Sequence, residues 1–146
     1  MAMGALTAWG ISALINAGLI LPVTRVPVLT RSGWWHAWAL GTVLGATLGW
    51  QGWLAVVLYL GLGSTVTKLG FARKAELGIA EARGGRRGPE NVWGSAATGT
   101  ALALLSQVPG APTPLLMVGF VASFAAKLGD TCGSEIGKRW GRTTIS

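Results

Sequence analysis

Acidic residues are scarce in this sequence, and so are the side chains that usually build disulfides, zinc sites or catalytic triads. Among 146 residues there are five Asp and Glu, one Cys and one His. A single cysteine excludes an internal disulfide, so we expect Cys132 to be a free thiol. One Cys and one His exclude a zinc cluster built from these residues, and no Ser-His-Asp set or G-x-x-x-x-G-K-[ST] phosphate loop is indicated.

Charge is missing from three long stretches. Residues 1–24, 32–67 and 91–126 contain no Asp, Glu, Lys or Arg. A membrane-spanning helix needs about 20 predominantly apolar residues. Because the chain is 51% hydrophobic and only 12% charged, we predict an all-α, polytopic transmembrane helix bundle that forms one integral-membrane domain, residues 1–146.

The three stretches predict about five spans. Residues 49–52, Gly-Trp-Gln-Gly, have the composition of a turn and divide the second stretch in two. Pro22 is expected to end the first span. The predicted spans are residues 4–21, 35–48, 53–67, 92–105 and a helix that starts near residue 115.

Residues 68–90 change character, with six basic and three acidic side chains. Apolar positions three to four residues apart predict a cytoplasmic surface helix over residues 69–83. These positions are Phe71, Ala75, Ile79 and Ala82. The glycine-arginine loop that follows is expected to expose Arg86 and Arg87 and to end at Asn91, a suitable helix N-cap.

Membrane topology explains the net charge of +7 better than binding to nucleic acid does, and we expect no nucleic-acid partner. With the N-terminus outside, all 12 basic residues, including Arg142, fall in segments on the cytoplasmic side. We therefore expect an integral membrane protein of an inner, plasma or thylakoid-type membrane, surrounded by lipid. The sequence does not indicate an oligomeric state.

Residues 127–138 hold two of the five carboxylates, Asp130 and Glu135, among basic residues. Glycines recur every fourth residue, at Gly129, Gly133, Gly137 and Gly141. One interpretation is a small-residue packing ridge with charges that mark the membrane edge. The other is a site in which carboxylates bind a divalent cation and basic residues bind phosphate. Arg83, Arg86 and Arg87 precede a helix N-terminus, which also favours a phosphate ligand.

Two motifs, E-A-R-G-G-R-R-G-P-E-N-V-W-G-S at residues 81–95 and D-T-C-G-S-E-I-G-K at residues 130–138, resemble the integral-membrane phytyl-phosphate kinase family. This is a family of vitamin E synthesis and phytol salvage, and residues 63–68 match it as well. It is distantly similar to dolichol kinases and CTP:phosphatidate cytidylyltransferases. Gly133 stands where the family more often has Ala or Ser. Family members also continue past residues 143–146, so we expect this chain to lack their C-terminal part. If that part is required for the reaction, the chain alone is inactive.

The resemblance implies a phosphotransferase that converts a prenyl monophosphate to the diphosphate at the cytoplasmic face. It implies Mg²⁺ and a nucleoside triphosphate, with CTP as the expected donor and ATP as the alternative. We expect Asp130 to be the principal metal ligand, Glu135 to support it and Lys127 to be catalytic. Expected nucleotide and phosphate contacts are Lys68, Arg83, Arg86, Arg87, Glu90, Asn91 and Ser134.

The spacing of the two carboxylates leaves a question open. Five residues apart on an unbroken helix, Asp130 and Glu135 diverge by about 140°. Either the helix bends at Gly133 or only one of them binds the metal.

Two alternatives to the kinase remain. One is a CTP-dependent cytidylyltransferase acting on a lipid phosphate. The other is a non-enzymatic small membrane protein or transporter, although transport normally needs polar groups near the middle of the spans.

Overall fold

The computed structural model describes residues 2–141, and in that range the chain is helical with no strand. Arg142 and residues 143–146 lie outside the described residues. The helices are α1 (Ala2–Val23), α2 (Arg31–Lys68), α3 (Phe71–Glu76), α4 (Pro89–Leu105) and α5 (Thr113–Trp140), with a short 3-10 turn at Arg83–Gly85. The predicted all-α helix bundle is confirmed.

α2 is broken at Gly49, whose backbone is not helical at φ 67° and ψ −150°. A left-handed φ of this kind favours glycine. The two halves run antiparallel, because Gly33 near the start and Gly63 near the end both pack against Arg87. The division that the sequence predicted at residues 49–52 is therefore present.

Three helices, α1, α2 and α5, are long and apolar enough to cross a membrane. α4 contributes a shorter apolar segment, Ala96–Leu105. Pro22 lies inside the last turn of α1, which ends one residue later at Val23. The count of five spans stays a prediction.

α1 packs on α2 through polar groups and glycines. Asn16 is buried, and its Oδ1 accepts a hydrogen bond of 3.0 Å from Trp53 Nε1. Ser12 Oγ donates to the carbonyl of Thr42 at 3.0 Å. Cβ atoms at Gly41 and Gly45 would clash with Asn16 and Ser12, so small residues allow this close approach.

The charged segments meet at one end of the bundle. Lys68 Nζ donates to the carbonyl of Pro27 at 2.8 Å, and Leu29 forms a parallel bridge with Arg87. Lys74 reaches Glu135 of α5. The loop after α1, the segment after α2 and the end of α5 therefore share one end, as the distribution of basic residues predicted.

The predicted surface helix over residues 69–83 is wrong in extent. α3 covers only Phe71–Glu76, because Gly78 adopts a left-handed φ of 70° that ends it. Its buried side chain is Lys74, whereas the apolar side chain of Ile79 is exposed.

The expected N-cap is also corrected. α4 starts three residues earlier, at Pro89 with Gly88 as the N-cap, because proline suits the first turn of a helix. Asn91 still satisfies the helix start from its third position, where its Oδ1 accepts from the Gly88 N–H at 3.1 Å.

Candidate functional site

A cavity of about 240 Å³ lies between α2, α4 and α5 at the charged end. Its lining residues are Tyr59, Glu81, Arg87, Glu90, Asn91, Gly94, Lys127, Asp130, Thr131, Ser134 and Glu135. Seven of the ten predicted site residues are among them, and the exceptions are Lys68, Arg83 and Arg86. Larger grooves beside α1 are lined mostly by apolar residues, with Thr24 and Arg31 in one and Ser12 in another. None of them contains a carboxylate, so this smaller polar cavity is the candidate site.

The α5 wall of the cavity is one continuous helix that does not bend at Gly133. Asp130 consequently points toward solvent, with 69% of its side chain exposed, while the Glu135 side chain is only 2% exposed. Lys127 Nζ contacts Asp130 Oδ2 at 3.1 Å. The two carboxylates line the same cavity in very different environments.

Glu135 is held by two lysines. Its Oε2 accepts from Lys74 Nζ at 2.5 Å, and its Oε1 accepts from Lys138 Nζ at 2.7 Å. Lys74 Nζ also donates to the carbonyl of Thr67 at 2.7 Å, and its side chain is 1% exposed. A buried ammonium needs such partners, because leaving a charge unpaired away from water is costly.

Sequence reasoning missed Lys74, which fixes Glu135 beside the cavity. A signal was available, since Lys74 lies three residues after Phe71 and so shares the apolar side of the predicted helix. A lysine on an apolar side indicates a buried partner of opposite charge.

Arg87 was expected to be exposed, and the structure shows that it is 7% exposed. Its backbone N–H donates to Val28 and its carbonyl accepts from Thr30, which draws the residue inward. The guanidinium lies 5.9 Å from the centre of the Tyr59 ring, and Nη2 is 3.4 Å from Thr67 Oγ1.

The guanidinium of Arg87 has no salt bridge with any described residue, and its buried Nε has no hydrogen-bond partner among them. A buried donor without a partner is rare and costly. An anion bound in the cavity that Arg87 lines would supply the missing counter-charge.

Arg83 and Arg86 lie at the rim. Arg83 forms an exposed ion pair with Glu90 across Gly88. The pKa of the Glu90 carboxyl is lowered, first by a hydrogen bond from the backbone N–H of Glu90 and then by the guanidinium of Arg83. Arg86 is exposed and lines only a small adjoining recess. Lys68 lies outside the cavity lining, on the carbonyl of Pro27.

The carboxylates of the cavity are too few to enclose a metal ion by themselves. No group of three or more His, Cys, Asp or Glu that could hold a metal is found among residues 2–141. Mg²⁺, however, is usually held by one or two carboxylates plus phosphate oxygens. Asp130 is exposed to the cavity and fits that role. Glu135 fits it less well, because both of its oxygens already accept hydrogen bonds from lysines.

The sequence profile of a family described as integral membrane protein DUF92 matches residues 4–146. The chain belongs to this family. This agrees with the resemblance noted for the two motifs. No solved structure matches the chain.

The chain is also similar in sequence to two curated proteins. It is 45% identical over 140 residues to "Uncharacterized membrane protein sll0875" of Synechocystis sp., covering 94% of this chain and 54% of that protein. It is also 45% identical over 140 residues to "Protein VTE6, chloroplastic" of Arabidopsis thaliana, covering 91% of this chain and 42% of that protein. The chain thus spans about half the length of these relatives.

Proposed function

We propose that the cavity transfers a phosphoryl group from a nucleoside triphosphate to a prenyl monophosphate held in the membrane. The observation that carries the proposal is the buried guanidinium of Arg87, which has no counter-charge among residues 2–141 and lines one cavity with Lys127 and Asp130. Cationic donors and a metal-binding carboxylate are what phosphoryl transfer requires. The resemblance to phytyl-phosphate kinases supports phytyl monophosphate as the acceptor.

The acceptor itself supplies the nucleophile of this reaction. An oxygen of the acceptor monophosphate is already anionic, so it attacks the γ-phosphorus without a general base. The new P–O bond forms as the bond to the β-phosphate oxygen breaks, and the products are a prenyl diphosphate and a nucleoside diphosphate. Positioning and charge neutralisation then account for most of the catalysis.

The residues divide these tasks. Asp130 would hold the Mg²⁺, which neutralises phosphate charge when bound. Arg87 and Lys127 bind phosphate oxygens, since both are cations that line the cavity. The amide of Asn91 and the hydroxyl of Ser134 are neutral donors on the same walls. Glu135 positions Lys74 and Lys138 rather than contacting the metal directly.

The direct test uses full-length protein in membrane vesicles. Phytyl monophosphate is supplied with magnesium and either CTP or ATP, and the lipid products are separated. We expect a magnesium-dependent phytyl diphosphate with at least one nucleotide. Recovery of unchanged monophosphate with both nucleotides would refute the proposed function.

Arg87 and Arg86 give a matched pair of variants. We expect Arg87→Gln to weaken binding of pyrophosphate by about 10- to 100-fold, because a hydrogen bond to a charged group is worth about 1.5–3 kcal/mol. Arg86→Gln removes the same charge from an exposed side chain outside the cavity, and we expect less than about a twofold change because exposed charges contribute little. Calorimetry on the purified protein measures both, and equal losses would count against the assignment of Arg87.

We further propose that the charged end faces the cytoplasm and the N-terminus faces outward. In a Cys132→Ser background, Arg86→Cys and Pro109→Cys place single thiols at opposite ends of the bundle. A membrane-impermeant thiol reagent applied to intact cells should label the cysteine at position 109 alone. Labelling at position 86 without permeabilisation would reverse the orientation, and the excess of basic residues on one side makes that result unexpected.

A further inference from the structure

The cavity is closed toward the interior of the bundle. The rings of Tyr59 and Phe124 meet edge to face at 5.4 Å, and Phe124 packs on Phe120 at 5.0 Å. All three residues are buried. A hydrocarbon chain cannot pass through close-packed aromatic rings, so a lipid whose phosphate sits in the cavity must leave by another route.

The open route lies along the outer side of α4. A Cβ built on Gly94, which lines the cavity, would meet nothing within 4 Å. Thr98 and Ala101, four and seven residues further along α4, are also exposed. On a helix these positions lie one above the other, so they form a shallow track of small residues that leads from the cavity toward the apolar end of α4.

We propose that the acceptor enters the cavity sideways from the bilayer, between α4 and α5 at Gly94, with its hydrocarbon tail along Thr98 and Ala101. This inference rests on the proposed function. Arg87 anchors the phosphate end, because its buried guanidinium has no counter-charge among the described residues. Lys127 is the first charged residue of α5, directly after the uncharged residues 113–126, and it marks the depth of the headgroup.

The larger apolar grooves beside α1 are the rival location for the tail. They are lined by residues such as Trp34, Trp53 and Val57, and they share no lining residue with the cavity. A tail in those grooves would leave its phosphate away from Arg87. The two locations therefore predict different contacts for the first carbons of the tail.

Photo-crosslinking distinguishes the two locations without relying on turnover. The probe is a phytyl monophosphate with a diazirine at its fifth carbon, a methylene near the phosphate end, and the sample is full-length protein in vesicles. We expect the label on the peptide that contains Gly94 and Thr98, and unlabelled phytyl monophosphate should remove it. A label confined to residues 8–57, which line the grooves beside α1 and do not line the cavity, would overturn the inference.

Thr98→Trp fills the proposed track, and Ala125→Trp adds comparable bulk at an exposed alanine of α5 that does not line the cavity. We expect Thr98→Trp to reduce crosslinking and to raise the KM for phytyl monophosphate, each by about tenfold or more, while Ala125→Trp behaves as wild type. Pyrophosphate binding reports whether Thr98→Trp is folded. If Thr98→Trp does not bind pyrophosphate, the position of the crosslink in the wild-type protein decides between the two locations.

The two proposals can fail separately. A label at Gly94 and Thr98 without any phosphoryl transfer would keep the lipid route and remove the kinase. Phosphoryl transfer with a label in the α1 grooves, or equal effects of the two tryptophans, would keep the kinase and remove the route.

Discussion

Asp130→Asn is expected to lower phosphoryl transfer by about 10³-fold or more. Asparagine keeps the shape of the side chain and removes the charge that would hold Mg²⁺, and metal stabilisation of the transition state is worth several kcal/mol, with each 1.36 kcal/mol equal to a factor of ten. The fold should be unaffected, because the side chain is 69% exposed and its ion pair with Lys127 lies at the surface. The measurement is magnesium-dependent transfer to phytyl monophosphate, with helical content followed by circular dichroism.

Glu76→Gln is the matched control for Asp130→Asn. Glu76 is an exposed carboxylate at the same end of the bundle, and it does not line the cavity. Its replacement also raises the net charge by one, so any general electrostatic effect appears in both variants. We expect it to transfer phosphate at nearly the wild-type rate. Normal turnover by Asp130→Asn, or an equal loss in both variants, would contradict the role of Asp130.

Glu135→Gln is expected to act chiefly on stability. The substitution removes the charge that balances the buried ammonium of Lys74, which then has only neutral acceptors such as the carbonyl of Thr67. Removing one member of a buried ion pair typically costs about 3–5 kcal/mol, since the other charge stays desolvated. The free energy of unfolding should fall by that order, and thermal unfolding in mild detergent measures it.

Two further variants separate the contribution of the buried ion pair between Lys74 and Glu135 from that of the partly exposed pair between Lys138 and Glu135. Lys138→Gln removes only the partly exposed partner of Glu135, and we expect a cost of less than about 1 kcal/mol. The double variant Lys74→Met with Glu135→Leu should recover most of the stability, because apolar residues often replace a buried ion pair without loss. A double variant as unstable as Glu135→Gln would show that the network does more than neutralise Lys74.

The sequence predicted the helices well where absence of charge was the signal. Uncharged stretches of spanning length gave α1, both halves of α2 and α5, and the turn composition around Gly49 located the break. It also predicted that the two motifs, about 40 residues apart, would meet, because both lie at the same end of the bundle. The family resemblance assigned them a common chemistry.

The different burial of Arg86 and Arg87 could not be predicted from the sequence. Nothing in the sequence distinguishes Arg86 from Arg87, yet one is exposed and the other is buried. The difference arises from tertiary hydrogen bonds, in which the backbone of Arg87 pairs with Val28 and Thr30. The preceding turn contributes as well, since Arg83, Gly84 and Gly85 all have positive φ angles and redirect the chain.

The two carboxylates of α5 show the same limit. The spacing of Asp130 and Glu135 predicted that they diverge on a straight helix, and the sequence could not say which one turns inward. The burial of Lys74 beneath α5 decides it, because only Glu135 lies within reach of that ammonium group. A contact between residues 61 positions apart in sequence is not visible in local patterns.

The most direct test of the central claim follows the position of a radioactive phosphorus atom. Full-length protein in vesicles receives phytyl monophosphate, magnesium and either CTP or ATP labelled at the α- or γ-phosphorus. A kinase moves only the γ-label into the lipid and releases a nucleoside diphosphate. A cytidylyltransferase would move the α-label and release diphosphate. We predict γ-label alone in phytyl diphosphate; α-label in the lipid, or no label from either nucleotide, would contradict the account.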